Sequence, residues 1–188
     1  MTHGMFDWKK RMGIHLAYHQ SATNNLVHKI MTPIQLCGIA YLVTGLLMLA
    51  IDMTTTVNMT IIALLPLMAF YLVIEPLTGL IVSAILLLSA MSALTIPVAE
   101  IWIPTLGIAL LASGGVFQAG IGHGVFEKGN INLGNEFQEF KETGSPMVFI
   151  FFFFFPILQL FIDMGYRKNL NKQLLKYKDE YLAQITTG

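Results

Sequence analysis

Long apolar runs alternate with short polar segments along this chain: Ile34 to Ile51, Met59 to Ile74, Leu77 to Leu94, Ile101 to Phe117 and Met147 to Ile162. Crossing a hydrocarbon layer of about 30 Å takes roughly 20 apolar residues, or somewhat fewer where the bilayer thins, so each run predicts a short helix of near-membrane length. Only Glu75 and Pro76 separate the second run from the third. That is room for a helical hairpin turn and nothing larger, and Pro76 suits the first position of a helix, where no backbone N–H is needed. Pro66 predicts a kink in the second run. No repeat or low-complexity linker divides the sequence, so a single membrane domain over 1–188 is expected.

Three polar segments lie outside the runs. The first, 1–33, holds four of the five histidines and the cluster Lys9, Lys10 and Arg11. The second, 120–146, holds His123 and several glutamates, and the third, 165–188, is a basic tail with leucines and tyrosines at helical spacing. Positive residues flank the first run on its N-terminal side and the last run on its C-terminal side, while the loops 52–58 and 95–100 carry none. The excess of Lys and Arg on cytoplasmic segments then predicts both termini in the cytoplasm and an even number of crossings. The expected architecture is therefore an all-α integral membrane protein, a small bundle of four transmembrane helices over 34–119. A fifth apolar segment at 147–164, broken by Pro156, is expected to be re-entrant or interfacial. His123 falls on the same side as the N-terminal histidines.

Composition sharpens this picture. The 188 residues are 55% hydrophobic and only 12% charged, with a mean hydropathy of +0.65, which excludes an ordinary soluble globular chain. Formal net charge is zero, so no basic field favours nucleic acid as a partner. Cys37 lies in an apolar run and reads as a packed thiol. The opening residues are too polar for a cleavable signal peptide and are expected to belong to the mature protein.

The histidines carry the candidate chemistry. His15 and His19 are four apart and share a helix face, a common chelating arrangement. His19 and His28 are nine apart, on opposite sides of an unbroken helix, but the intervening SATNN supplies capping residues that predict one helix ending near Gln20 and another starting near Asn24. His123 and Glu127 are again four apart, and a carboxylate there would bind a metal or orient the imidazole. Gly122 and Gly124 remove side chains beside His123, which suits either the approach of a substrate or a packing seam between helices. Imidazole and carboxylate without thiolates suit non-haem iron, and zinc would accept similar ligands.

YHQSATNNLVHKIMTP (Tyr18 to Pro33) and FQAGIGHGVFEKGNINLGNEF (Phe117 to Phe137) resemble the two signatures of a small membrane family, the 2-hydroxy fatty acid dioxygenases typified by a yeast endoplasmic-reticulum enzyme of phytosphingosine breakdown. The resemblance extends over nearly the whole chain, including Thr78-Gly79-Leu80 and the basic tail, with GHGVFEK as its most specific part. The matching positions are Tyr18, His19, Asn24, His28, Pro33, Gly122, His123, Gly124, Phe126, Glu127 and Asn135. What the resemblance implies is an Fe(2+) oxygenase that shortens a 2-hydroxy fatty acid by one carbon, an α-oxidation step with O2 as co-substrate. His19, His28, His123 and Glu127 would be its metal ligands and catalytic residues, and Tyr18, Asn24 and Lys128 would contact substrate. His15 departs from the family pattern and is a further candidate ligand by spacing alone. GNINLGNEFQEFKETGSP departs from the family's proline-rich loop. The active site would face the cytoplasm, in a bacterial inner membrane or the endoplasmic reticulum.

Two other enzyme classes fit less well. Five histidines are too few for a two-iron membrane desaturase, and the LASG context of Ser113 lacks the glycine of intramembrane serine proteases. Lys29 and Lys128 read either as carboxylate anchors or as lysines snorkelling at the membrane edge. The alternative from a different class is a non-enzymatic lipid-binding or small-solute carrier with a histidine-lined site.

Overall fold

The computed structural model describes residues 7–126 and 147–186, and these form helices with no strand among them. In chain order they are α1 (Trp8–Tyr18), α2 (Ala22–Ala50), α3 (Met53–Ile74), α4 (Pro76–Thr95), α5 (Trp102–Val116), a π-helix π1 (Phe117–Phe126), α6 (Met147–Asp163) and α7 (Lys168–Thr186). Four helical stretches are long and apolar enough to cross a bilayer: Ala22–Ala50, Met53–Ile74, Pro76–Thr95 and Trp102–Phe126. The fold is that of an all-α integral membrane protein. α6 has 17 residues and rises about 26 Å, short of the hydrocarbon thickness. It runs unbroken through Pro156, where the sequence predicts a break. A proline costs a helix one hydrogen bond and a steric adjustment, whereas opening the helix within apolar surroundings would strand several backbone groups.

Contacts divide the chain into two compact units, residues 1–29 with 118–188, and residues 30–117. In the second unit, α3 and α4 form the hairpin predicted from Glu75-Pro76. Glu75 closes α3 and opens α4 at once: its N–H donates to the Tyr71 carbonyl at 3.1 Å, and its carboxylate accepts from the Thr78 N–H at 2.9 Å. One side chain and the N–H-free Pro76 thus satisfy two helix ends without a loop. α2 and α5 meet where a Cβ on Gly107 would lie 2.5 Å from the Leu42 backbone nitrogen. Tyr41, Ala93 and Ile103 form a core cluster backed by Met48 and Ile96, and the Tyr41 hydroxyl bonds Ser92 Oγ at 2.7 Å. The outer faces are apolar, with Val73 84% exposed and Leu88 71%. Such surface belongs against lipid tails.

The first unit contains α1, the start of α2, π1, α6 and α7. Asp7 caps α1, its carboxylate accepting from the Lys10 N–H at 3.3 Å. α1 packs on α7 through Gly13, where any Cβ would fall 2.5 Å from the Tyr177 Cβ and 3.1 Å from the Leu174 carbonyl oxygen. Met12, Leu16, Leu170 and Leu174 are buried. Trp8 meets Phe154 edge-on at 6.5 Å between centroids, and the Arg11 guanidinium lies 6.0 Å from the Phe151 ring. α6 ends in a paired-bond cap: Tyr166 N–H reaches the Phe161 carbonyl and Gly165 N–H the Ile162 carbonyl, both at 2.9 Å, with Gly165 at φ 93°. That positive φ is open to glycine and costly for most side chains.

Candidate metal centre

The site is assembled around the short link between α1 and α2. α1 stops at Tyr18 and α2 starts at Ala22, close to the break that the SATNN capping residues predict. Ser21 Oγ accepts from the Asn24 N–H at 3.3 Å as the cap of α2, and Asn25 Nδ2 donates back to the His19 carbonyl at 2.9 Å. His19 is thereby held in the link. The chain reverses between His19 and His28, and the two imidazoles that an unbroken helix would separate face each other. The helix bearing His28 begins twelve residues before the apolar run predicted from Ile34 and passes through Pro33 without a break.

His19 Nε2 lies 3.2 Å from His28 Nε2, which lies 3.3 Å from His123 Nε2. Their candidate ligand atoms all fall within 4.8 Å of one another. Donors about 2.1 Å from a shared ion sit roughly 3.0–3.5 Å apart, so the two short spacings match coordination. Hydrogen bonding alone does not account for them. A ring nitrogen offers either one proton or one lone pair, and His28 Nε2 cannot serve both neighbours. His19 is also fixed in its tautomer: its Nδ1 and its backbone N–H both meet the His15 carbonyl at 3.0 Å. With the proton on Nδ1, the Nε2 lone pair is turned toward the other two rings, as in many metal-bound histidines. His19, His28 and His123 form a buried triad able to hold a metal ion, at 5%, 1% and 6% exposure.

His123 arrives from π1, a ten-residue π-helix. Such winding is rare and concentrates at functional sites. The four-residue face shared with Glu127 presupposes α-helical winding, but Glu127 and Lys128 lie outside the described residues, as do Asn135 and the Tyr18 side chain. His15 is buried, and its ring stacks on His19 at 3.9 Å and 24° between planes. Ring lone pairs lie in the ring plane, so stacked rings aim theirs side by side. His15 accordingly stands outside the converging set, and its contribution is the carbonyl that orients His19. Burial, and then the imidazoles of His19, His28 and His123, hold the His15 ring well below the ordinary histidine range. It stays neutral at pH 7.

Asn24 is fully buried one turn before His28, and neither its Nδ2 nor its Oδ1 has a partner; His28 Nδ1 is likewise unpartnered. A buried amide missing both hydrogen bonds is expensive, by about 1–3 kcal/mol per group. Lys29 bonds the Asp163 carboxylate, which also accepts from Gln159 Nε2, so it has a protein partner beside the site. Sequence reasoning missed the aromatic wall from α6. Phe155 lies 5.4 Å from His15 and Phe152 5.9 Å from His28 between centroids. The three-residue spacing of those phenylalanines was the available signal, hidden in an unbroken run of aromatics.

Comparison of the chain with family models, with curated proteins and with solved structures returns no match.

Proposed function

We propose that this protein is a non-haem iron(II) dioxygenase of 2-hydroxy fatty acids, acting at the membrane surface by oxidative decarboxylation. The observation that carries the reading is the convergence of three imidazole nitrogens, borne by the α1–α2 link, α2 and π1, in a buried, aromatic-walled site. Three neutral nitrogen donors fit iron(II) and leave coordination positions for oxygen ligands. Zinc fits the same geometry, and the oxygenase reading rests on the resemblance of Tyr18 to Pro33 and Phe117 to Phe137 to the dioxygenase signatures.

The reaction balances without an external reductant: a 2-hydroxy acid and one O2 give the acid one carbon shorter, CO2 and water. The iron, when bound, would supply the means of passing electrons to O2. His19, His28 and His123 would hold it, and the His15 carbonyl keeps the His19 lone pair aimed. Asn24, with donor and acceptor both free, is placed to hydrogen-bond the oxygens of the acid. Phe152 and Phe155 exclude water and offer an apolar flank to its chain. α2 is about 44 Å long, longer than the hydrocarbon is thick, and His28 lies in its second turn. That position suits a substrate entering from one leaflet with its polar head at the rim. The orientation that puts this rim in the cytoplasm follows from the charge bias of the flanking segments.

The test is purification in lipid nanodiscs with metal analysis and oxygen electrode measurements. The wild type is expected to bind iron and consume O2 with a 2-hydroxy fatty acid but not with the unsubstituted acid. His19→Ala, His28→Ala and His123→Ala each lose metal and turnover while still inserting. Stoichiometric ligand binding without metal would instead support the carrier reading.

A further inference from the structure

A second feature of the first unit is separate from the histidines. A groove of about 380 Å³ opens between the start of α1 and the start of α7, lined by Lys9, Arg167, Lys168, Asn169, Leu170 and Gln173. Two distant parts of the chain deliver its three cations, and no acidic side chain is among the described lining residues. A groove lined by cations and amides is a favourable seat for an anion. The amides of Asn169 and Gln173 add hydrogen-bond donors; Gln173 Oε1 accepts from Lys9 Nζ at 3.5 Å. Lys9 lies over the Trp8 ring at 5.9 Å and Arg167 over the Tyr166 ring at 5.7 Å, an aromatic–cation pairing suited to the headgroup level of a bilayer. Leu160 in the last turn of α6 and Met164, three residues before Arg167, are exposed apolar side chains. Cations, amide donors and adjacent apolar surface together describe the boundary between a phosphate and an acyl chain.

We infer that this groove binds a phosphate group, carried by an anionic phospholipid whose chains lie along the exposed apolar edge. Lys9, Arg167 and Lys168 supply charge-assisted hydrogen bonds to the phosphate oxygens, and Asn169 and Gln173 complete its shell. The lipid ties α1 to the α6–α7 turn.

The full chain in phosphatidylcholine nanodiscs, doped with a minor fraction of phosphatidylglycerol, tests this by native mass spectrometry. A variant carrying Lys9→Gln, Arg167→Asn and Lys168→Gln removes the charge; asparagine tolerates the left-handed backbone at position 167 (φ 46°). A control carrying Lys172→Gln, Lys176→Gln and Lys178→Gln removes equal charge from α7 outside the groove. The wild type and the control should retain phosphatidylglycerol in preference to phosphatidylcholine, and the groove variant should hold it at least about tenfold more weakly. Stabilisation of the wild type by inorganic phosphate, absent from the groove variant and without lipid preference, would assign the same site to free phosphate. Equal behaviour of the two charge-removal variants, or no response of the wild type to either probe, overturns the inference.

Discussion

Asn24 is a costly residue as it stands. Its amide is fully buried with both heteroatoms unpartnered, and a leucine of similar size would remove that penalty. Asn24→Leu should therefore raise the thermal stability of the ligand-free protein by about 1 kcal/mol or more, while lowering the affinity of the iron-loaded protein for a 2-hydroxy acid. Calorimetry and ligand titration on the same sample read the two effects. If Asn24 instead has a purely structural role, stability falls with the substitution. At this scale the sequence was informative about identity and poor on geometry. That His19 and His28 turn toward each other was legible from spacing and capping residues, because those set where helices can stop; His123, 95 residues beyond His28, entered the set through its pairing with Glu127 and the GHGVFEK resemblance. The stacking of His15 on His19 was not, since spacing assigns a face and leaves open whether a ring presents its edge or its plane.

Helices were the most legible level, and their ends the least. The Glu75-Pro76 hairpin followed from local chemistry alone, and the structure has it with Glu75 capping both helices. That the helix predicted to start near Asn24 and the apolar run from Ile34 form one continuous α2 did not, because hydropathy marks membrane contact, whereas a helix continues wherever its backbone bonds are satisfied. The intimacy of α1 and α7 was also invisible, since it depends on what Gly13 lacks. Gly13→Ala should destabilise the first unit by about 1–3 kcal/mol through overpacking, although alanine is the better helix former by about 1 kcal/mol. Gly115→Ala, where a Cβ would meet nothing within 4 Å, should be neutral or stabilising. Thermal denaturation of the two variants side by side separates packing from propensity, and a matching response would remove the close-approach argument.

For the whole molecule, the class was readable from composition and run length, and four membrane-length helices stand where four of the runs were. Which side each end occupies is a matter of charge bias acting during insertion. The charge bias of the flanking segments predicts both termini in the cytoplasm, so a reporter fused after Gly188 and one fused before Met1 should give the same cytoplasmic signal; opposite signals would mean that α6 crosses. The shortness of α6, at 17 residues, favours its remaining on one side.

The π-winding of Phe117–Phe126 has a consequence for how this chain tolerates length changes. Wide turns of this kind hold one residue more per hydrogen-bonded ring than α-turns do, so removing a single residue between Phe117 and Gly122 would let the segment relax to ordinary winding. From Phe117 to His123, the five remaining steps of about 100° would then sweep nearly the angle that six wider-turn steps swept, so the His123 ring would keep its bearing on its two companions. A one-residue deletion there should thus leave metal content standing, while a one-residue insertion, which turns His123 by roughly 100°, should lose it; metal analysis of the two variants side by side reads the difference.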